Sequence, residues 1–315
     1  MSNALLQVQN LKKYFDTPAG KLHAVDDVSF EINKGETIGL VGESGCGKST
    51  IGRTLLRLIP HTDGQVFYKG ENIFDCDAAR MRELRKEMQI IFQDPYSCLD
   101  PRKTIGSIIA EPLVVNKTIP RSQIRETVLE LMSKGGISRR LYNSYPHELD
   151  GGRRQRVGII RALALNPEFI VCDEPVSSLD VSIQAQIINL LQDLQDELGL
   201  TYLFISHDLS VVRFLSDRII VMYLGQVAES CLTEELFDNP QHPYSKALLS
   251  AVPVARYDHD FSKRIILKGD VPSPVNPKPG CRFANRCWMA KPICFEENPP
   301  MKEVSPGHLV SCHLV

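Results

Sequence analysis

The chain has 315 residues, of which 43% are hydrophobic and 23% are charged, and its formal net charge is −2. This composition indicates a soluble globular protein, long enough for one large domain and an extension. No long run of one charge sign is present to follow a nucleic-acid backbone, so we expect no nucleic-acid partner. The longest apolar runs, such as residues 219–224, are far shorter than the roughly 20 residues that cross a bilayer. We therefore expect a chain that is neither exported nor membrane-spanning.

The first 70 residues are rich in predicted β structure. Residues 25–32 alternate between apolar and polar side chains, as in a half-buried strand. Residues 37–41 form a short apolar run that leads into glycines, and residues 48–58 have helical spacing. A strand, a glycine-rich loop and a helix, in that order, provide the context in which a phosphate-binding loop forms.

Between residue 78 and about residue 240 the pattern predicts a helical insert and then alternating strands and helices. Alternating strands and helices indicate a mainly parallel sheet covered on both faces. The predicted elements are a charged helix at 78–87, a strand at 88–92, an amphipathic helix at 121–132, a helix at 154–165, a strand at 169–172, a helix at 183–198, a strand at 202–205, a helix at 209–215 and a strand at 218–222.

Residues 42–49 read Gly-Glu-Ser-Gly-Cys-Gly-Lys-Ser and fit the phosphate-loop pattern GxxxxGK[ST] in full. Glycines let backbone N–H groups surround phosphate oxygens, and the helix that follows presents its N-terminus to them. Lys48 is expected to reach the β- and γ-phosphates of ATP, and Ser49 to ligate Mg²⁺. The residues predicted to bind the nucleotide here are Gly42, Glu43, Ser44, Gly45, Cys46, Gly47, Lys48, Ser49 and Thr50.

An acidic pair, Asp173 and Glu174, follows the apolar strand at residues 169–172. The pair would lie at the carboxyl end of that strand, where parallel sheets bind their ligands. Asp173 is expected to hold Mg²⁺ through water, and Glu174 to polarise the water that attacks the γ-phosphate. An Asp-Glu pair on an isolated strand would more often be solvated, but the phosphate loop upstream favours the catalytic interpretation.

The order and spacing of these motifs resemble those of ATP-binding cassette (ABC) ATPases over about 240 residues. The resemblance implies an α/β fold with a mainly parallel sheet, an N-terminal antiparallel β subdomain and a helical subdomain. It also implies that two ATPase subunits pair, and that each completes the ATP site of the other. The motifs that carry the resemblance are the phosphate loop, Gln93, Leu149-Asp150-Gly151-Gly152, Asp173-Glu174, Ser177-Ser178-Leu179-Asp180 and His207.

The resemblance also implies roles for single residues. Gln93 would contact Mg²⁺ and sense the membrane partner, and His207 would contact the γ-phosphate. Asp180 would bind the nucleotide. An aromatic side chain stacks on adenine in this family, and Phe15 fits that position best. The neighbouring Tyr14 is the alternative, and either ring could instead belong to the core.

Residues 149–156 read Leu-Asp-Gly-Gly-Arg-Arg-Gln-Arg and depart from the common family form at two positions. The family usually has serine at the position of Asp150 and glutamine at that of Arg153. Serine donates a hydrogen bond to the γ-phosphate of the partner's ATP, whereas an aspartate only accepts and repels the phosphate. The guanidinium of Arg153 could offset that charge, and Gly151 and Gly152 still allow close approach of the backbone. Two alternatives stay open. Either the partner's ATP is hydrolysed slowly, or Arg153 compensates for Asp150 and the activity is normal.

A second group of motifs is similar to the dipeptide and oligopeptide importer branch, and in detail to its "F"-type ATPase subunit. The resemblance implies a heterodimer with a related ATPase subunit, two integral-membrane permease subunits and an extracytoplasmic substrate-binding protein. It places the chain at the cytoplasmic face of the cell membrane as a peripheral subunit. Nickel and glutathione importers share the pattern, so the solute stays open. The motifs are Gln93-Asp94-Pro95-Tyr96, Leu99-Asp100-Pro101-Arg102, His242-Pro243-Tyr244 and the cysteine-containing tail.

We predict an ATPase domain over residues 1–240, with its helical subdomain at about 95–155, and a loop-rich extension over residues 241–315. Prolines such as Pro253 and Pro272 interrupt any long element in the extension, so it needs a staple. Four thiolates can bind Zn²⁺ or an iron–sulfur cubane, but zinc sites usually use close CxxC pairs, which are absent here. The resemblance implies a [4Fe–4S] cluster, with zinc, and reduced or disulfide-paired thiols, as the alternatives. The ligands would be Cys281, Cys287, Cys294 and Cys312.

Two other functions of this family differ from a transport ATPase in features that the sequence shows. Soluble cassette ATPases that act on DNA or ribosomes normally contain tandem cassettes, a coiled coil or a basic insertion, and none of these occurs here. A non-catalytic binding module would lack the glutamate or the histidine, but Glu174 and His207 are both present. The sequence therefore predicts an ATP-hydrolysing subunit that energises a membrane importer of peptides.

Overall fold

The computed structural model describes residues 4–94, 96–252 and 264–315, so Pro95 and Pro253, named above, lie outside it. Among the described residues, none of the helices combines the length and apolar character needed to cross a membrane. The strands are β1 (Ala4–Thr17), β2 (Gly20–Asn33), β3 (Thr37–Val41), β4 (Asp63–Tyr68), β5 (Glu71–Asn72), β6 (Met88–Ile91), β7 (Phe169–Asp173), β8 (Thr201–Ile205), β9 (Arg218–Tyr223), β10 (Gln226–Leu232), β11 (Met301–Ser305) and β12 (His308–Ser311). The helices are α1 (Lys48–Leu55), α2 (Ala78–Glu87), α3 (Ile105–Asn116), α4 (Arg121–Lys134), α5 (Gly151–Leu163), α6 (Val181–Leu198), α7 (Leu209–Leu215), α8 (Thr233–Asp238), α9 (Pro243–Ser250) and α10 (Ile293–Glu296).

The chain divides into two compact units. The first unit comprises the described parts of residues 1–33, 37–74 and 206–315, and the second comprises those of residues 34–36 and 75–205. In the first unit a four-stranded sheet has the order β2-β1-β4-β5, with β1 antiparallel to both β2 and β4. Five further strands of this unit follow the order β11-β12-β10-β9-β3, in which only β3 and β9 are parallel.

The second unit contains three parallel strands in the order β8-β7-β6. Every residue of β7 and β8 is buried. Parallel strands covered on both faces read as continuous apolar runs, which is why the sequence predicts these two strands well. Helix α3 was not predicted, because it is apolar on most sides and contains Pro112, so it has no amphipathic period.

The predicted element boundaries differ from the observed ones where a side chain caps a helix. The helix predicted at 154–165 begins at Gly151, because the Asp150 carboxylate accepts the Arg153 N–H at 2.7 Å and so caps it. The helix predicted at 183–198 begins at Val181, because Asp180 accepts the Ile183 N–H at 3.0 Å. Hydrophobic periodicity does not register such caps.

The end of the predicted extension joins the sheet of the first unit, since β12 pairs antiparallel with β10. His308 of β12 is fully buried between two carboxylates. Its Nε2 atom lies 2.7 Å from Glu229 of β10, and its Nδ1 atom lies 2.8 Å from Glu235 of α8. Glu229 also accepts the backbone N–H groups of Gln241 and His242. These charge-assisted bonds tie the extension to the sheet.

His242, first residue of the His-Pro-Tyr motif, caps α9 from a buried position. Its Nδ1 atom accepts the Tyr244 N–H at 3.0 Å, which requires an unprotonated Nδ1. Burial disfavours the charged imidazolium and lowers the pKa of His242 to about 4.

We expect His242→Asn to make folding less sensitive to acid. Above pH 6.5 the imidazole is neutral in both the folded and the unfolded state, so the lowered pKa does not affect stability. As the pH falls from 6.5 to about 4 the folded protein loses stability, because the unfolded chain binds the proton first. The loss amounts to at most roughly 3 kcal/mol. Asparagine keeps the cap but does not titrate. The Tm measured between pH 6.5 and 4 should fall less steeply for the variant than for the wild type. If the two Tm profiles are parallel, the lowered pKa of His242 is not the cause of the acid sensitivity.

Candidate functional site

The phosphate loop is built where the buried strand β3 ends, in the first unit. Gly47 has a φ of 105°, and a Cβ atom there would lie 2.0 Å from the Ala24 carbonyl oxygen. Gly42 has a φ of 150°, and its Cβ would lie 2.3 Å from the Met222 carbonyl oxygen. Only glycine fits at these two positions, because both the backbone conformation and the neighbouring backbone exclude a side chain.

Lys48 is the first residue of α1 and is only 4% exposed. Its ammonium donates to the carbonyl oxygens of Gly42 at 2.7 Å and Glu43 at 3.1 Å, so it lies over the loop itself. Burial raises the pKa of the neighbouring Cys46 thiol, which keeps it neutral and unreactive. Of the other predicted loop residues, Ser44 and Gly45 are exposed, and Ser49 and Thr50 are partly exposed.

The two aromatic candidates for adenine stacking have different surroundings. The Tyr14 ring stacks on His23 with centroids 3.9 Å apart, and its hydroxyl donates to Asp26. Burial and this bond raise the pKa of Tyr14. The Phe15 ring is partly exposed, with the Lys13 ammonium 4.5 Å from its centroid. Tyr14 is thus engaged in an internal network, which favours Phe15 as the stacking residue.

His207, the predicted γ-phosphate contact, is exposed and belongs to the first unit. It lies between two anchored residues. The Ser206 N–H donates to the Leu40 carbonyl oxygen of β3 at 3.2 Å, and Asp208 caps α7. His207 is therefore held beside the strand that leads into the phosphate loop.

Gln93 and Glu174 meet in the second unit. Because β6 and β7 are parallel neighbours, the residues after their carboxyl ends lie side by side, and Gln93 Nε2 donates to Glu174 Oε2 at 3.1 Å. Glu174 has a φ of 47°, a left-handed conformation that is uncommon for a residue with a side chain. Such strain costs about 1–3 kcal/mol and tends to occur at functional positions. Asp173, the last residue of β7, is 1% exposed.

The altered segment at 149–156 has a local structural role. The Asp150 carboxylate caps α5 and also lies 3.4 Å from the Arg153 Nε atom, so the guanidinium is close to the charge that it could offset. A Cβ atom on Gly152 would lie 2.5 Å from the Ile183 side chain of α6. The glycine therefore serves the packing of α5 against α6, a role that the sequence did not indicate.

Asp180 caps α6 in the same manner, and its carboxylate also accepts the Ser182 hydroxyl at 2.7 Å. These hydrogen bonds lower the pKa of Asp180. Its contact with nucleotide stays a prediction.

Helix α5 also holds the chain on both sides of Gln93, through residues that no sequence motif for this role predicts. Gln155 donates to the Phe92 carbonyl oxygen at 3.4 Å, and Arg161 donates to that of Cys98 at 2.6 Å. The Arg154 guanidinium lies 3.8 Å from the Tyr96 ring centroid. Arg154 and Arg161 are seven residues apart and so share one helix face, which is the only sequence signal of this role.

The four cysteines of the extension lie near one another in the first unit. The Cys281 N–H donates to the Cys294 carbonyl oxygen at 2.7 Å. Burial, and then the nearby thiols of Cys294, Cys312 and Cys287, raise the pKa of Cys281 to about 11. Within the described residues, the one group of three metal-ligating atoms within 4.8 Å of one another belongs instead to Glu229, Cys231 and His308. The four cysteine sulfurs do not form such a group in the described part of the chain.

Comparisons with known proteins agree with this architecture. The ABC transporter family model matches residues 25–177, and the model of the oligopeptide/dipeptide transporter C-terminal region matches residues 228–294. Among solved structures, cbiO1 of Clostridium perfringens, part of an ABC transporter complex, has a TM-score of 0.67 and 28% identity, covering 76% of this chain and 92% of its own. A dimeric ATP-binding cassette in a post-hydrolysis state with ADP and Pi has a TM-score of 0.66 and 30% identity, covering 72% and 98%.

The chain belongs to the ABC transporter ATPases, and the predicted fold class and ATPase activity are confirmed. Among curated relatives, the oligopeptide transport ATP-binding protein AppF of Bacillus subtilis is 53% identical, over 98% of this chain and 97% of its own length. The dipeptide transport ATP-binding protein DppF of Haemophilus influenzae is 49% identical, over 98% and 96%. The resemblance inferred from the motifs therefore extends over nearly the whole chain.

Proposed function

We propose that this chain binds and hydrolyses ATP to energise a membrane importer of oligopeptides or dipeptides. The observation that carries the catalytic part is the hydrogen bond from Gln93 to Glu174, which orients a carboxylate held in an uncommon backbone conformation. Full-length similarity to peptide-transport ATP-binding proteins supports the choice of solute. The alternative solute is nickel or glutathione. The alternative function, which fits less well, is that of a soluble ATPase without a transport role.

The proposed binding roles follow from the chemistry of each residue. Lys48 and the N–H groups of the phosphate loop hold the phosphates, and Phe15 stacks on the adenine. Ser49, Gln93 and Asp173 offer hydroxyl, amide and carboxylate oxygens, the donors that Mg²⁺ prefers, and Asp173 is buried at the end of β7. When bound, Mg²⁺ neutralises charge on the phosphate oxygens.

The proposed chemical step is attack of water on the γ-phosphate. The Glu174 carboxylate accepts a proton from that water, and Gln93 keeps the carboxylate oriented through its 3.1 Å hydrogen bond. His207 donates a hydrogen bond to an oxygen of the γ-phosphate and so holds that group in line while the bond to ADP breaks and its electron pair leaves with ADP.

We expect Glu174→Gln to lower ATP turnover by about 10²- to 10⁴-fold, because an amide cannot accept the proton. ATP binding should stay close to wild type, whereas Lys48→Ala should weaken it. Steady-state turnover in the assembled transporter and equilibrium ATP binding measure the two effects. Glu130→Gln, the same substitution at an exposed position of α4, is the matched control. Wild-type turnover in the Glu174 variant would rule out the proposed base.

The proposed assembly contains a second, different ABC ATPase subunit, two permease subunits and an extracytoplasmic binding protein. The chain would act as a peripheral subunit at the cytoplasmic face of the inner or plasma membrane. Within it, an ATPase domain would extend to residue 240, with a helical subdomain at about 95–155, and the remainder would form the extension. The names of the curated relatives support the transport role, and the residues that the two family models match support the division.

We also propose that the two ATP sites of the heterodimer are unequal. Asp150, Gly151, Gly152 and Arg153, with Asp180, would face the ATP held by the partner subunit. At that site a carboxylate opposes the γ-phosphate charge where the family has a serine. The site formed by this chain's own phosphate loop would therefore hydrolyse ATP faster.

The double variant Asp150→Ser and Arg153→Gln should raise turnover at the partner's site. Serine is also a good helix cap, so α5 should stay intact. To isolate that site, turnover is measured in heterodimers that also carry Glu174→Gln in this chain. Unchanged turnover would mean that Arg153 already compensates Asp150, and the sites would then be equivalent.

We propose that the four cysteines hold a [4Fe–4S] cluster with a structural or sensing role. Thiolates are the usual ligands of such a cluster, and the thiols of Cys287, Cys294 and Cys312 lie close enough to Cys281 to raise its pKa. Its ligands would be Cys281, Cys287, Cys294 and Cys312.

Anaerobically purified protein should contain about four iron and four sulfide per chain. Cys294→Ser should lower both, whereas Cys231→Ser, at a buried cysteine outside the set, should not. A folded, colourless and iron-free preparation would contradict the proposal, and stoichiometric zinc would favour the alternative.

A further inference from the structure

Residues 281–287, here called the arginine turn, form a compact segment with a cysteine at each end and two arginines inside. Its backbone is closed by hydrogen bonds from Ala284 to Cys281 at 3.0 Å and from Arg286 to Phe283 at 2.9 Å. Such a turn fixes the directions in which its side chains project. Both arginine side chains project into the interior, with exposed fractions of 7% for Arg282 and 9% for Arg286.

Arg286 binds the second residue of the phosphate loop. Its Nη1 atom lies 2.8 Å from the Glu43 carboxylate and 3.3 Å from the Tyr223 hydroxyl. The bond to Glu43 raises the pKa of Arg286. Among the described residues the buried Nε atom has no hydrogen-bond partner, so the compensation that they provide for burying this guanidinium comes from Glu43 and Tyr223.

A second hydrogen bond fixes the backbone of Glu43. Its N–H donates to the hydroxyl of the fully buried Tyr244 at 2.9 Å. The Tyr244 ring packs on Tyr223 and on Phe283 of the arginine turn, with centroids 4.7 and 5.4 Å away. Since the Glu43 carbonyl accepts the Lys48 ammonium at 3.1 Å, the position of Glu43 bears directly on the lysine of the loop.

Arg282 reaches the same loop from another side. It donates to Asp26 and to the Leu224 carbonyl oxygen. The Asp26 N–H donates to the Gly225 carbonyl oxygen at 2.8 Å, and the Gly225 N–H donates to that of Cys46 at 2.9 Å. The arginine turn therefore contacts the phosphate loop directly at Glu43 and through two intermediate residues at Cys46.

We propose that Arg286 is a positioning residue for ATP binding, and that the arginine turn sets the affinity of the phosphate loop through Glu43. Arg282 supplies a second, indirect restraint. This inference rests on the proposed function, since it assumes that the loop binds ATP. Its physical basis is preorganisation, because a loop already held in one conformation loses less entropy when the nucleotide binds. The extension, which lies far from the loop in sequence, thereby becomes part of the nucleotide site.

The test is equilibrium ATP binding by the full-length chain, with calorimetry as the readout. Arg286→Ala and Glu43→Gln should each raise the Kd for ATP about tenfold. The Kd of the double variant should not exceed the larger of the two single-variant Kd values, because both changes remove the same interaction. Arg286→Lys should recover part of the affinity, since it keeps the charge but loses the planar fork. Arg264→Ala, at an exposed arginine of the same extension, is the matched control.

Two further measurements distinguish a role of Arg286 in positioning the phosphate loop from a purely structural role. In the assembled transporter Arg286→Ala should raise the KM for ATP while kcat at saturating ATP is retained. Arg282→Ala should raise the Kd in the same direction by a smaller factor. A Kd within twofold of wild type in Glu43→Gln and in folded Arg286→Ala would overturn the inference. Failure of the wild-type chain to bind ATP would instead overturn the proposed function.

Discussion

Close contact between backbone segments at the phosphate loop is the constraint on which the rest of the first unit depends. The loop passes the Ala24 carbonyl oxygen so closely that a single added carbon at Gly47 would lie 2.0 Å from it. Contacts of this kind leave no room for adjustment, so the neighbouring segments must be fixed as well. Hydrogen bonds through Gly225 and Asp26, and the side chains of Tyr244 and Arg286, supply that fixation.

Aspartate side chains that cap helix N-termini are a second recurring feature of the structure. Asp77, Asp150, Asp180 and Asp208 each accept a backbone N–H from the first turn of the helix that follows. A cap satisfies an otherwise unpaired donor and interacts favourably with the helix dipole. At Asp150 this local gain coincides with a position where the family has serine. The departure from the family pattern is thus compatible with a well-formed α5.

Much of the fold and of the candidate site could be predicted because their signals are local in sequence. A buried parallel strand such as β7 reads as an apolar run, and the phosphate loop requires its glycines and lysine at fixed spacing. Helix α3 escaped prediction because it lacks an amphipathic period. Strands β11 and β12 are short, and β12 pairs with a strand far away in the sequence, since its Leu309 lies opposite Ser230 of β10. An anchor such as Arg161 belongs to no motif, and its sequence position alone does not distinguish it from an ordinary helix-surface residue.

The sequence by itself determined the family, the nucleotide chemistry and the candidate catalytic residues, because these depend on residue type and spacing along a short segment. Only the tertiary structure decided which residues hold that machinery in place. Arg286 and Glu43 are 243 positions apart, and their ion pair exists only because the extension folds back onto the loop. The same holds for His308, which a motif search would pass over and which the fold buries between two carboxylates. Long-range contacts of this kind arise from packing, which a linear pattern does not record.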